Sequence, residues 1–290
     1  MPDYDFIRYE QHDRVARLVL NRPQARNAQS WRLIEELDDA FQHAGRDASV
    51  GAIVLAGEGE HFSAGHDLGT PEQKADMEAR PREEGLRGRY AGAWDTNIDP
   101  NMRWRNLPKP TIAEVKGYTI FAGVAIAEAC DLIFAADDTM FLPTNYQYFH
   151  VPWDLGIRKA KEILFESRFI DAQEALELGL VNRVIPKERL EQETMEYAAR
   201  VASNDPFQLR MIKLAINQAQ DAQGFTQHIY GSYGHHILSS VGEADPGYAL
   251  RDPRKEGQRR RPMVQRAIEN YELEKQRRAR GGAGAGSQED

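Results

Sequence analysis

Two short turns hold residue types from which chemistry could be built. The first is HFSAGHDL, His61 to Leu68, which follows the apolar run GAIVLAG. The second is Gly117-Tyr118-Thr119-Ile120-Phe121-Ala122-Gly123, which leads into VAIAEAC. Each follows a strand-like run and opens toward a helix, and small residues in each let a ligand approach the main chain. Glycine there permits backbone angles that other residues resist. Amides at a helix start have no internal partner and carry the positive end of the dipole. Two of them aimed at one point would hold a carbonyl oxygen as it becomes an oxyanion. Packing alone also produces such turns, so neither decides a function by itself. No GxSxG elbow is present, which leaves a serine hydrolase without support, and Ser63 reads as small rather than reactive. His235 and His236 lack an HxxE or HExxH setting, so a metal site is not expected. His61 reads as a solvent-facing turn residue.

The elements that must carry these turns follow from periodicity. Val15 to Leu20, Ala52 to Leu55, Thr111 to Val115 and Asp131 to Ala135 have the make-up of buried strands. Trp31, Leu33, Ile34, Leu37 and Phe41 recur at helical spacing, predicting a helix from about Ala28 to His43 capped by Asn27. Strands separated by helices point to a layered or coiled α/β core. The second half reads as helical over Asp154 to Glu166, Asp171 to Leu178, Lys187 to Ser203 and Asp205 to Gln220. Asp154, Asp171 and Asp205 are N-cap candidates, and Gly179 ends a helix. Residues Gly69 to Pro108 form a long charged excursion, suited to an active-site lid or a subunit contact. The basic run Arg254 to Arg261 reads first as a solvated face, with RNA binding disfavoured by interspersed acids. A helix is expected from Met263 to Arg278, then a flexible GGAGAGSQED tail.

Composition narrows the class. The 290 residues suffice for one large domain or two small ones, and 41% apolar with 28% charged residues is ordinary for a globular protein. A net charge of −8 and a pI near 5.6 make nucleic acid or an anionic membrane unlikely partners on charge grounds. The single cysteine, Cys130, excludes an internal disulfide and a cysteine-based metal cluster. The acidic start MPDYDFIRYEQHD carries no apolar h-region, and no run approaches the ~20 apolar residues of a membrane span. A cytoplasmic enzyme or binding protein is the expectation.

Four blocks then add a resemblance. They are LNRPQARNAQS (Leu20 to Ser30), GEGEHFSAGHDL (Gly57 to Leu68), PTIAEVKGYTIFAGVAIAEACDLIFAADD (Pro110 to Asp138) and RKAKEILFESRFIDAQEALELGLVNRVIP (Arg158 to Pro186). Their order and spacing over about Phe6 to Ala219 resemble the crotonase superfamily, the enoyl-CoA hydratase/isomerase family. The resemblance implies an α/β spiral of repeated β-β-α units over residues 1–200, with 69–108 as insertion or lid. It also implies a helical C-terminal region over 201–280 used in homotrimers, or hexamers built from them, and a tail over 281–290. The implied ligand is an acyl-CoA thioester of fatty acid metabolism, with coenzyme A as part of the substrate, no separate cofactor and no metal. The oxyanion amides would be those of His66 and Ala122, with Gly123 and the small Ser63 beside the substrate. Arg26 and Ala28 would lie near the pantetheine and phosphates, and Ala64, Asp67 and Leu68 would form the adenine-side wall. The basic run could reach CoA phosphates from a neighbouring subunit.

The sequence departs from this pattern at the acid–base positions. Where a hydratase of the family carries its first glutamate stands Ala125, and the second falls at Pro143-Thr144 in a shortened segment, PTNYQYFHVPWDLGI. General acid–base help contributes ~10²–10⁴-fold, so substitutes matter. Glu128, one turn beyond Ala125, and Tyr148 are the candidates, with Tyr146 and His150 as further ones. Against each stands a packing role or, for Glu128, an arginine partner or an interface. Isomerisation, decarboxylation, thioester hydrolysis and a catalytically silent CoA-ester-binding protein therefore remain beside hydration.

Overall fold

Alternation along the strands decides the layering. In the computed structural model, which describes residues 3–144, 147–241 and 262–284, β1 (Ile7–His12), β2 (Val15–Leu20), β3 (Ala52–Gly57), β4 (Thr111–Val115), β6 (Leu132–Ala136) and β9 (Arg183–Ile185) form one sheet in that order. Only the β1–β2 hairpin is antiparallel there; the other pairs are parallel. Val15, Val54, Ile112 and Phe134 face helix α9 (Leu190–Ala202) with its Leu190 and Ala198. Ala16, Leu18, Ile53, Leu55 and Ala113 face the larger core on the other side, with Leu33, Leu37 and Phe41 of α1 (Trp31–Arg46). Both faces are covered, which is why the strands read as unbroken apolar runs.

A second sheet joins β5 (Tyr118–Ile120), β7 (Met140–Leu142) and β8 (Ile170–Asp171). Consecutive strands are therefore shared out: β4 goes to the first sheet and β5 to the second, then β6 and β7 repeat the division. Helix α5 (Ala122–Glu128) links the two repeats. This is the expected spiral of β-β-α units.

Several local expectations shift. Asn27 does not cap α1: its φ is +52°, outside the extended backbone a cap needs, and its side chain is engaged elsewhere. Its Oδ1 accepts the Arg22 N–H at 2.9 Å, and its Nδ2 donates to the carbonyls of Glu58 and His61. The cap is Ser30, whose Oγ accepts the Leu33 N–H at 3.2 Å. The Asp154–Glu166 helix is broken at Gly156, φ +73° and ψ 156°, into α6 (Val151–Leu155) and α7 (Ile157–Glu166). Asp154 thus lies within α6 and does not cap α7. Asp171 and Asp205 do cap, for α8 (Ala172–Leu178) and α10 (Pro206–Ala222).

The Gly69–Pro108 excursion is two things. Helices α2 (Pro71–Ala79) and α3 (Gly85–Ala93) are peripheral, but α4 (Asp99–Arg105) belongs to the core. Trp104 is buried, stacks on Phe41 with centroids 5.0 Å apart, and donates its indole N–H to Asp38 at 2.8 Å. Charge density hides this, because the few apolar residues fall on the inward side. Helix α11 (Phe225–Val241) sends Phe225, Ile229 and Tyr233 into the same core. Helix α12 (Pro262–Gly284) returns to the second sheet, where Tyr271 donates to Asp171 at 3.0 Å and Arg278 pairs with Glu174. It runs past Arg278 into the first residues of the expected tail. The basic run Arg254 to Arg261 lies outside the described residues. Among the described residues, no helix is long and apolar enough to cross a membrane.

Candidate active site

The two turns of the sequence are stitched together. Ser63 donates its N–H to the Tyr118 carbonyl at 3.2 Å and accepts the Ile120 N–H at 3.0 Å. Its fully buried hydroxyl donates to the Asn27 carbonyl at 2.8 Å and accepts the Gly65 N–H at 3.2 Å. Ser63 is thus a brace for the turn. On the far side, Gln29 donates its N–H to the Gly65 carbonyl and accepts the Asp67 N–H. Those two bonds flank His66, so its own amide is turned away from Gln29.

Where that amide points is set by contact. A Cβ on Gly65, at φ +84°, would stand 2.7 Å from the Ile120 carbonyl oxygen and 3.5 Å from the Ala122 nitrogen. A Cβ on Gly123 would meet the Ser63 carbonyl oxygen at 2.7 Å. The chain turns into α5 through Phe121, a non-glycine residue at φ +50° and ψ −111°. Strain of this kind costs on the order of 1–3 kcal/mol and persists only where the surroundings impose it. Among the described residues, neither the His66 N–H nor the Ala122 N–H has a hydrogen-bond partner.

A cavity of about 750 Å³ lies beside this turn, lined by Gln29, Trp31, His66, Arg82, Asn97 and Gln147 among others. Helix α3 and the chain before it roof the cavity, and the Arg82 guanidinium lies 3.6 Å over the Trp31 ring. His66 Nε2 and Gln147 Oε1 are 2.5 Å apart, so the imidazole donates to the amide oxygen. Burial pushes its pKa down, with Gln147 opposing, which favours a neutral ring. A second cavity of about 790 Å³, between His12–Val15 and α9, holds none of the candidate residues.

The remaining expected residues divide. Arg26 is exposed, and its carbonyl accepts the Ala64 N–H at 2.9 Å. Ala28 is buried, and its carbonyl accepts from Arg22. Leu68 is 66% exposed. The Asp67 carboxylate is turned inward and takes bonds from Arg22, Thr70 and Gly69. Burial raises its pKa, but those bonds outweigh it and the net shift is downward. His61 is partly buried rather than solvent-facing; its Nδ1 accepts the Tyr118 N–H at 3.2 Å. The imidazole is thereby another link between the two turns.

Glu128 and Tyr148 come together in a buried cluster. Glu128 shows no arginine or lysine partner among the described residues and instead meets Asp154. Burial first, then the charge and hydrogen bond of Asp154, push its carboxyl well above the usual range. Burial likewise raises the Tyr148 phenol, against a lowering by Arg105. His150 Nδ1 lies 2.6 Å from Asp154 Oδ2. Ala125 is buried on α5, one turn before Glu128, and Tyr146 lies outside the described residues.

The sequence pattern of the family described as enoyl-CoA hydratase/isomerase matches residues 10–236. The chain belongs to the enoyl-CoA hydratase/isomerase family, within the crotonase superfamily. A Mycobacterium tuberculosis protein that carries an enoyl-CoA hydratase name, EchA13, is 35% identical over 91% of this chain and 93% of its own length. A probable enoyl-CoA hydratase from Mycobacterium smegmatis superposes with a TM-score of 0.74 at 39% identity, covering 80% of this chain and 93% of that one. An enoyl-CoA hydratase/isomerase from Xanthobacter autotrophicus Py2 gives 0.75 at 33% identity, over 86% and 94%.

Within this family member, three residues escape sequence reasoning. Gln147 is an ordinary loop residue until its contact with His66 is known, and the sequence gives no signal for it. Asp154 reads as a cap because a helix comes after it. Arg22 adjoins a proline inside the first block, and only the fold reveals its complete burial beside Asp67.

Proposed function

We propose that this chain is an acyl-CoA enzyme in which the N–H groups of His66 and Ala122 together receive a thioester carbonyl oxygen as negative charge develops on it. The observation that carries this reading is the pair of amides without a partner among the described residues, on turns braced by Ser63 and His61, where a Cβ on the intervening Gly65 would sit 3.5 Å from the Ala122 nitrogen. Because main-chain atoms donate, a histidine side chain and an alanine methyl are no obstacle. Arg26, Ala28, Ser63, Ala64, Asp67, Leu68 and Gly123 surround the path of the CoA portion or support it. Glu128 and Tyr148 are the acid–base candidates. The enzyme works as a cytoplasmic homotrimer or a hexamer of two trimers, on acyl-CoA esters of fatty acid metabolism, with no separate cofactor.

The reaction passes through a thioester enolate or oxyanion. Hydration and double-bond isomerisation use the first; decarboxylation also ends in an enolate, and thioester hydrolysis uses the second. A silent CoA-ester-binding role is favoured by one observation, the absence of carboxylates at Ala125 and Thr144.

Ala122→Pro tests the reading. Position 122 opens α5, so proline there deletes the N–H without removing an intrahelical hydrogen bond, and circular dichroism checks that the turn at Phe121 still folds. On a panel of acyl-CoA substrates including crotonyl-CoA, followed through the conjugated thioester absorbance, kcat should fall ~10²–10³-fold. A folded variant turning over within threefold of the parent refutes the amide pair. Acyl-CoA binding by the parent without turnover of any thioester selects the silent role.

A further inference from the structure

Two carboxyl groups from different helices meet at the far end of α5 from Ala122. Glu128 ends α5, Asp154 lies in α6, and one side-chain nitrogen or oxygen from each of Glu128, His150 and Asp154 lies within 4.8 Å of the others. Glu128 Oε1 and the Tyr148 hydroxyl are both buried with no hydrogen-bond partner among the described residues. The Arg105 guanidinium of α4, which influences Tyr148, is already held by Gln220 and Asp221 and lies over Phe225. Burial, with Asp154 beside it, makes the Glu128 carboxyl keep its proton.

We propose that Glu128 and Asp154 act as the acid and base of the acyl-CoA reaction, with His150 as the residue that positions Asp154. This rests on the acyl-CoA reading above and supplies the groups that Ala125 and Thr144 do not. One of the segments that carry the pair starts at an amide of the proposed site, and the other touches the side chain of His66. Helix α5 begins at Ala122, and Glu128 is six residues on, about 9 Å along the axis, with a side chain leaning back toward the helix start. The segment leading into α6 carries Gln147, which holds His66. An acyl chain that starts at the amides and runs along α5 would bring its carbons toward the pair, beyond the cavity beside His66, whose lining includes neither carboxylate.

In hydration, Asp154 takes a proton from water as the water oxygen bonds to the β-carbon. The π electrons of the double bond move toward the carbonyl oxygen, held by the two amides. Protonated Glu128 then gives its proton to the α-carbon, and the pair again holds one proton, now on Asp154. In isomerisation the same two groups remove a proton from one acyl carbon and return one to another.

A divalent metal among the same three residues is the competing occupant. Two donors bound to zinc at about 2.1 Å in tetrahedral geometry stand about 3.4 Å apart. The His150–Asp154 separation of 2.6 Å is that of a hydrogen bond instead.

Glu128→Gln and Asp154→Asn test the pair, with fold checked by circular dichroism and acyl-CoA affinity by calorimetry. Each should lower kcat ~10²–10⁴-fold while the acyl-CoA dissociation constant stays within threefold. The double variant should be no slower than the slower single one, because the groups act as a unit. The pH profile of kcat should lose one limb in each single variant, and His150→Gln should shift a limb with a smaller fall in kcat. Groups facing the pair, which also shape that profile, are Arg105 of α4, Cys130, Tyr148, His150 and, from α11, His228. Independently of turnover, ¹³C NMR of the carboxyl carbons should find one protonated carboxyl at neutral pH that disappears in Glu128→Gln. Turnover by either variant within threefold of the parent overturns the proposal and leaves the acyl-CoA reading standing. A stoichiometric zinc or manganese ion in the purified protein, lost in His150→Gln, assigns the cluster to a metal and also overturns it. Failure of the parent to bind or turn over any acyl-CoA overturns the acyl-CoA reading and the catalytic role with it.

Discussion

Gly65→Ala puts the proposed amide pair under the most direct strain. At φ +84° an L side chain costs roughly 1–2 kcal/mol in the backbone alone. The added Cβ would stand 2.7 Å from the Ile120 carbonyl oxygen, well inside the ~3.5 Å at which carbon contacts become favourable. Either the Gly65 turn or the end of β5 must retreat by close to 1 Å. Phe121 and Ala122 follow Ile120 directly, so the displacement is passed to one of the two amides. A misplacement of about 1 Å costs ~10²-fold in rate, comparable with loss of one oxyanion donor. We expect kcat to fall ~10²-fold for whichever acyl-CoA the parent turns over, with the dissociation constant changed far less. The unfolding temperature should fall as well, by about 2–4 °C for each kcal/mol of strain. Stopped-flow turnover and calorimetric unfolding on the same preparation separate the two effects. A variant that melts earlier but keeps kcat within threefold would show that this turn matters for packing alone.

Three other perturbations have signed outcomes. Glu128 keeps its proton in the folded state, so its contribution is full below its unfolded pKa, about 4.3, and declines by up to about 1.4 kcal/mol per pH unit until the raised folded pKa is passed. Glu128→Gln should therefore match the parent in urea stability near pH 4 and exceed it near pH 8; parallel curves would refute the buried neutral acid. Arg22→Met leaves the inward Asp67 carboxylate without its cation, a loss of about 3–5 kcal/mol, and a measured loss under 1 kcal/mol would contradict the pairing. The parent's contribution from Asp67 is present above its unfolded pKa and lost as pH falls through the lower folded value, so the variant's acid limb should begin at higher pH. Ser30→Ala removes the cap of α1 and should cost about 1 kcal/mol by chemical denaturation.

How much of the fold is legible in the sequence depends on how each feature is encoded. Strands covered on both faces announce themselves as apolar runs, so β2, β3, β4 and β6 are legible within about two residues at their ends. Helix starts are less so. Asn27 and Ser30 are both good caps by type, and only the left-handed backbone at Asn27, fixed by its bonds to Glu58 and His61, decides between them. Trp104 stays hidden because burial inside a charged segment leaves no periodic pattern to detect.

The site shows the same division more sharply. The two turns can be read because small residues in a fixed local order specify a backbone shape. Glu128 can be singled out by its apolar helical setting, but Asp154 cannot, because a carboxylate is defined by what surrounds it in space. Ala125 and Thr144 mark only where the familiar groups are missing. Nothing local to Asp154 distinguishes a helix cap from half of an acid–base pair. The difference arises when the chain after β7 folds back on α5 and brings residue 154 against residue 128, which has no lysine or arginine partner among the described residues. Burying Glu128 against Asp154 is costly unless Glu128 keeps its proton. For stability alone, a well-packed hydrophobic pair of similar volume would serve as well or better. That cost, with α5 beginning at Ala122 and the segment before α6 touching His66, is the physical reason to read the pair as chemistry rather than packing.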